Sequence, residues 1–154
     1  NLHDAVQLAG SSMSLCAVRA TGDVECWGYN GYGQLGNNSY NTASQPVAVL
    51  ALTDATQVSV HDRFACARRS NGTVVCWGDN TYGQHGDDST TAHLAASPAF
   101  NGLTTAVQVA VGTSHACARW SNGAVSCSGA GTYGQLGDAQ YTSQDLPVSV
   151  LTFP

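Results

Sequence analysis

Apolar side chains alternate with polar or small ones in three short stretches, AVQLA from Ala5, ATQVSV from Ala55 and AVQVAV from Ala106. Within them Val6 and Leu8, Val58 and Val60, and Val107 and Val109 fall on one side of an extended chain. A period of two with β-branched residues predicts a half-buried strand at each place. A short linker (GSSMSL, HDRFA, GTSHA) follows each stretch and leads to a cysteine. The succession then repeats as CAVRATGDVECWGYNGYGQLG from Cys16 to Gly36, CARRSNGTVVCWGDNTYGQHG from Cys66 to Gly86, and CARWSNGAVSCSGAGTYGQLG from Cys117 to Gly137. Self-similarity with a period of about 50 residues marks a solenoid, propeller or array. Three repeat units, at 1–50, 51–101 and 102–154, therefore take precedence over the single domain that the chain length would suggest.

Each cysteine pair encloses a predicted hairpin. Cys16 and Cys26 are symmetric about Thr21, Cys66 and Cys76 about Asn71, and Cys117 and Cys127 about Asn122, which implies a three-residue loop. Glycine comes third in Ala20-Thr21-Gly22, Ser70-Asn71-Gly72 and Ser121-Asn122-Gly123, where a type I turn followed by a left-handed residue needs it. In that register Val18 lies opposite Val24 and Cys16 opposite Cys26. Directly paired antiparallel residues have Cα atoms about 4.5 to 5.5 Å apart, within reach of a disulfide. The spacing thus predicts three local bonds, Cys16 with Cys26, Cys66 with Cys76 and Cys117 with Cys127. Each closes a loop of about 11 residues and contributes about 2 to 3 kcal/mol. Zinc and free buried thiols are the alternatives. The gap between cysteines exceeds the spacer of about two to four residues in a zinc knuckle, and no histidine recurs at ligand spacing. Free thiols leave the facing pairs unexplained. Disulfides imply an oxidising compartment, and a secreted, extracellular location is expected.

Trp27-Gly28 and Trp77-Gly78 follow the first two hairpins, and Ser128-Gly129 takes their place in the third. Next come Gly33-Gln34-Leu35-Gly36, Gly83-Gln84-His85-Gly86 and Gly134-Gln135-Leu136-Gly137. Glycines flanking a glutamine predict a tight buried turn whose free carbonyls the glutamine would satisfy. Trp27, Gly28, Gly33, Gln34 and Gly36, with Trp77, Gly78, Gly83, Gln84 and Gly86 and with Gly134, Gln135 and Gly137, form the expected structural core of the repeat. Tyr32, Tyr82 and Tyr133 precede the turn and read either as packing between units or as a ligand platform. The spacing from Gly36 to Pro46, Gly86 to Pro98 and Gly137 to Pro147 varies, and its Asn, Ser, Thr and Asp residues mark surface loops. After the prolines, Val47-Ala48-Val49 and Val148-Ser149-Val150 read as extended, and Ala99-Phe100 less so.

Composition narrows the function. Charged residues make up 10% of the chain, against about 25% in an ordinary soluble domain. The net charge is -5, and the 5 basic residues are dispersed arginines without a lysine. Nucleic acid and anionic membrane surfaces are excluded as partners on that ground. No apolar run approaches the roughly 18 residues of a membrane span, and the N-terminus lacks the features of a signal peptide, so an exported protein would be in its mature form. Catalytic signatures such as G-x-S-x-G and H-E-x-x-H are missing, so no enzyme, cofactor or metal centre is expected. His3, His61, His85, His93 and His115 occupy non-equivalent positions except for the neighbouring His61 and His115 sites, and they read as solvated or locally satisfied. Asp87-Asp88 reads as solvated loop acids, with calcium as the alternative. Two sequons, Asn37-Asn38-Ser39 and Asn71-Gly72-Thr73, are glycosylation candidates. Asn71 is also the preferred turn residue, and Asn122 fills that place without a sequon.

The run from Gly22 to Gly36, with its C-W-G-x-N-x-x-G-Q-L-G, resembles the repeat of the regulator of chromosome condensation family, and all three units resemble it over nearly their whole length. The resemblance implies an all-β fold with a four-stranded antiparallel β-propeller blade per repeat, the repeats usually being out of phase with the blades. It also implies rings of more blades than three repeats supply, so an incomplete ring or open array is expected. The founding member exchanges nucleotide on a small nuclear GTPase and binds chromatin. Paired cysteines, acidity and absent lysine make this chain similar instead to the secreted branch of non-catalytic binding proteins, which includes an inhibitor of β-lactamases. Function is carried by sites rather than folds, and two expectations follow. One is a structural module that self-associates through blade packing and strand edges, as a homo-oligomer, filament or multi-chain propeller, or as part of a larger repeat chain. The other is a recognition module that binds an extracellular protein or glycan through the variable loops Asn37 to Gln45 and Asp87 to Ser97.

Overall fold

The computed structural model describes residues 2–151, so residue 1 and residues 152–154, which the first and third repeat units include, lie outside the described residues. The strands are β1 (Ala5–Gly10), β2 (Ser14–Arg19), β3 (Val24–Gly28), β4 (Ala43–Ala48), β5 (Ala55–Val60), β6 (Phe64–Arg69), β7 (Val74–Gly78), β8 (His93–Pro98), β9 (Ala106–Val111), β10 (His115–Trp120), β11 (Val125–Gly129) and β12 (Gln144–Ser149). They form three four-stranded antiparallel sheets, ordered β1-β2-β3-β4, β5-β6-β7-β8 and β9-β10-β11-β12, and none closes on itself. Each blade is one contiguous stretch of chain that exchanges no strand with its neighbours.

The hairpins have the register that their turn residues dictate. Val18 pairs with Val24 and Cys16 with Cys26, while Gly22 N–H donates to Arg19 O at 2.9 Å and Arg19 N–H donates to Asp23 O at 2.9 Å. This is a type I turn with a bulge at Gly22, whose φ of 92° lies in the left-handed region that glycine enters without cost.

The fourth strands differ from expectation. The stretch before each proline is not all loop, because β4 and β12 begin at Ala43 and Gln144, ahead of Pro46 and Pro147, and β8 ends on Pro98. Each is the outer edge of its sheet, where a proline forfeits no ladder bond on its free side. In the second repeat the chain then leaves the sheet as a 3-10 turn at Phe100–Gly102, which buries Phe100 against Trp120 with ring centroids 6.1 Å apart.

β1, β5 and β9 lie side by side as the inner strands, and the core sits between blades rather than within one. One buried cluster joins Cys16, Val18, Val24 and Leu35 of the first blade to Val58, Ala65, Val75 and Trp77 of the second. Another joins Phe64, Cys66, Val74 and Phe100 of the second to Val109, Ala116 and Trp120 of the third. Two packed sheets are the minimum that buries their apolar faces. The first strand shows this by exception. Val58 and Val109 are 1% and 2% exposed under the preceding blade, whereas Leu8, at the same repeat position, is 63% exposed because no blade packs on β1 in this chain. The half-buried strand expected at Ala5 is therefore largely exposed.

Candidate functional site: the seams between blades

Glutamine side chains stitch the inner strands. Gln7 Nε2 donates to Val58 O at 2.8 Å and Val58 N–H donates to Gln7 Oε1 at 2.7 Å, so an amide side chain stands in for a peptide group of a neighbouring strand. Gln57 repeats the pairing with Val109, at 2.9 Å in each direction.

The Gly-Gln-Leu-Gly turn makes the second stitch. Gln34 Oε1 accepts Tyr32 N–H at 2.9 Å, and Gln34 Nε2 donates to Asp62 O of the next blade at 2.8 Å. Gln84 and Gln135 accept Tyr82 and Tyr133 N–H in the same way. The glutamine oxygen thus serves a loop N–H rather than the loop's carbonyls: Gly33 O and Gly36 O accept Gly36 N–H and Leu50 N–H within the blade, and the Gln34 carbonyl faces the neighbouring blade. That blade supplies the missing donor: Trp77 Nε1–H donates to Gln34 O at 2.8 Å, and in the next seam Ser128 Oγ–H donates to Gln84 O at 3.1 Å. Crowding at the seam also explains a glycine. A Cβ on Gly33 would meet the Leu94 side chain and one on Gly83 the Asp145 backbone, both on the next blade.

Further bonds cross both seams at equivalent positions. Asn38 N–H donates to Leu94 O at 2.8 Å and Asp88 N–H to Asp145 O at 3.1 Å, while Ala55 and Ala106 N–H donate to Gly22 O and Gly72 O at 2.9 Å. At the first seam alone, Asp62 Oδ1 accepts Ser12 Oγ–H at 2.7 Å and Ser12 N–H at 3.2 Å. The Ser12 hydroxyl, ahead of its N–H, holds the Asp62 carboxyl below the ordinary range. Arg63 places its guanidinium 4.6 Å from the centre of the Tyr32 ring.

The three disulfides link Cys16–Cys26, Cys66–Cys76 and Cys117–Cys127, each with Cα atoms 4.1 Å apart across its hairpin. Asn71 sits exposed at a hairpin tip, where its Oδ1 accepts Thr73 N–H at 3.0 Å. Asn37 is half-buried, and its Oδ1 accepts from Asn30 Nδ2 at 3.1 Å. Tyr32 is half-buried, Tyr82 46% exposed and Tyr133 90% exposed. The single glutamate, Glu25, accepts from Arg19 at 3.2 Å.

Two groups have roles that the motif by itself does not give. Buried Asn30 and Asn80 pin the turn, accepting Leu35 and His85 N–H at 2.9 Å and donating to the carbonyls of Ser39 and Asn41 or Ser89 and Thr91. Their recurrence after Trp-Gly is the signal. The other is His85, fully buried in a slot that holds Leu35 and Leu136 in the other blades. Neither His85 ring nitrogen has a hydrogen-bond partner. Its ring stacks on His93 at 5.3 Å, and His93 Nε2 lies 2.8 Å from Asp87 Oδ2. Burial, reinforced by His93, pushes His85 down to about 4. Burial also acts to raise Asp87, but hydrogen bonds from His93 and Ser89 outweigh it and leave the carboxyl lowered. Burial first, then His61, lowers His115. The structure thus brings His85 and His93 together with Asp87, whereas His3 stays apart in the exposed N-terminal segment.

Comparison with known proteins agrees with this architecture. The family model described as regulator of chromosome condensation (RCC1) repeat matches residues 21–68, and a second model of that description matches residues 55–84. No curated protein sequence matches the chain. Human WBSCR16 superposes with a TM-score of 0.80 at 22% identity, over 97% of this chain and 38% of its own. Prp20p from Saccharomyces cerevisiae, described with its binding properties to Gsp1p and histones, superposes with a TM-score of 0.84 at 15% identity, over 96% of this chain and 38% of its own. The chain thus spans 38% of the length of these two structures, and at such identities the likeness shows the fold. Family-model matches over residues 21–84, blade topology and superposition together show that this chain carries RCC1-like repeats, folded as three propeller blades each stapled by a disulfide.

Proposed function

We propose that this chain is a non-catalytic, secreted structural module that associates head to tail with further copies of itself across the two faces its blades leave free. The observation that carries this reading is that the third seam is present as two separated halves. The third blade offers Gln108, the Gln135 carbonyl and Ala139 N–H, the counterparts of Gln7, Gln34 and Asn38. The first blade offers the Leu8 peptide group, Trp27 and the Ser44 carbonyl, the counterparts of Val58, Trp77 and Leu94. Trp77 is fully buried, while Trp27 is only half-buried, in a groove lined by Arg19, Glu25, Gln45 and Pro46.

Charge points the same way. Val18 and Val75 share one buried cluster across the first seam, and the second seam has Arg68 and Ser126 at these positions. On the free faces the equivalents are Arg119, exposed on the third blade, and Glu25 on the first. Opposite charges suit these faces to each other and set the register of approach. Such a heterologous contact makes a ring if its rotation closes and a filament if it does not. The low charge content limits repulsion between copies.

Charge exchange tests the reading. Sedimentation of the purified chain should show association that grows with concentration, with a blue shift of Trp27 emission as its groove closes. Glu25→Arg and Arg119→Glu should each weaken association by tenfold or more, and the double exchange should restore it. A compact monomer at high concentration would sink the proposal. The recognition reading draws on Tyr40 and Tyr141, exposed by 58% and 74% in the variable loops. Replacing both with Ser should abolish binding of a protein or glycan partner while leaving self-association intact.

A further inference from the structure

The geometry points to a divalent transition-metal site in the second blade, formed by His85, Asp87 and His93, that takes an ion of the zinc class. It stands on the cluster alone and does not depend on self-association. Each of the three residues brings one ligand atom within 4.8 Å of the other two. Of the three, Asp87 Oδ2 and His93 Nε2 already meet, 2.8 Å apart. Ligands held about 2.0 to 2.2 Å from zinc lie about 3 to 4 Å from one another, so closing the site takes a small parting of Asp87 from His93 and rotation of the His85 and His93 rings out of their stack.

Three further features distinguish this cluster from an accidental meeting of polar side chains. First, His85 is fully buried with both ring nitrogens unpartnered, and a buried polar group without a partner is costly unless something supplies one. Second, Asp87 is held from behind: its Oδ1 accepts from Ser89 Oγ at 3.0 Å and from Asn80 Nδ2 at 3.3 Å, the outer-shell bonding that orients a ligating carboxylate. Third, the fold does not ask for these residues. The first blade has Leu35, Asn37 and Ala43 at the same places and the third has Leu136, Asp138 and Gln144, within the same turn and strand start. Both ring donors thus occur in one blade alone, and there they converge. Two imidazoles and a carboxylate suit zinc, copper or nickel rather than calcium or magnesium, which require more oxygen ligands. Asp87 and His93 are partly exposed, which gives the ion an entry path and leaves a position for water.

The test uses the full chain, stripped with chelator and titrated with zinc chloride by calorimetry, alongside thermal melts and the visible spectrum with cobalt. We expect one zinc per chain, a melting temperature that rises with zinc, and a cobalt spectrum of tetrahedral type. His85→Leu, Asp87→Asn and His93→Ala each install the first blade's residue, so the blade keeps side chains that this fold accommodates elsewhere. Each should weaken zinc binding by tenfold or more and remove the zinc-dependent melting shift, and His85→Leu without metal should melt no lower than the parent. If the parent takes up no zinc, or if His85→Leu and Asp87→Asn bind it as tightly as the parent, the proposal is overturned.

Discussion

The glutamine of the repeated turn shows how one residue type acquires different weight from its surroundings. Gln34 holds Tyr32 N–H with its oxygen and Asp62 O with its nitrogen, so it ties its own turn and the next blade at once. Gln135 makes the first bond alone. Removing a side chain that satisfies a buried backbone group costs about 1 to 3 kcal/mol. Gln34→Ala should therefore lower the unfolding free energy by about that much, and Gln135→Ala by a smaller amount, as read from urea denaturation. The carbonyl of the turn shows the converse, since the Trp77 indole and the Ser128 hydroxyl, chemically unlike, both donate to it. From sequence, the Ser128 substitution breaks a motif, whereas in three dimensions it preserves a hydrogen bond. His85 is the opposite case: it departs from the repeat's leucine, and the structure finds it without a partner.

At the scale of elements, the hairpins were legible because loop length and the position of glycine fix the register of two adjacent strands. The seam changes what that glycine tolerates. A Cβ at Gly22 would lie 2.7 Å from Thr53 O in the linker to the next blade, while one at Gly123 meets nothing within 4 Å. Gly123→Ala should cost only the left-handed backbone penalty of about 1 to 2 kcal/mol, and Gly22→Ala clearly more, measurable as unequal shifts of the denaturation midpoint. The linker between strands also carries a pH response. The Ser12 hydroxyl and N–H hold Asp62 below its ordinary range, so its contribution is fully present above about pH 4 and is lost as pH falls through the lowered folded value. Thermal melts from pH 5 to pH 2 should show a shallower acid limb for Asp62→Asn than for the parent. The fourth strands were harder to read, since a proline inside a strand is informative only once the strand is known to be an edge.

For the whole molecule, the organising fact is that its core lies between blades. A protein built so is satisfied only where a blade has neighbours on both sides, and here that is the second blade. The exposure of Leu8, Trp27 and Tyr133, against the burial of Val58 and Trp77, traces where that condition ends. Three disulfides add local stability within hairpins and fit an oxidising environment, but none crosses a seam. Cohesion between blades therefore rests on packing and the glutamine stitches. Among the described residues no helix is long and apolar enough to cross a membrane.

The repeat, the hairpin register and the likeness to RCC1 repeats are legible along the chain, because they depend on neighbours close in sequence and recur three times. Which positions face another blade, how the Gln34 amide is shared between its own turn and the next blade, and the meeting of His85, Asp87 and His93 emerge in three dimensions alone. The reason is physical: burial and hydrogen-bond partnership across a seam depend on residues about 50 positions away, and a local pattern contains no information about whether that neighbour is present.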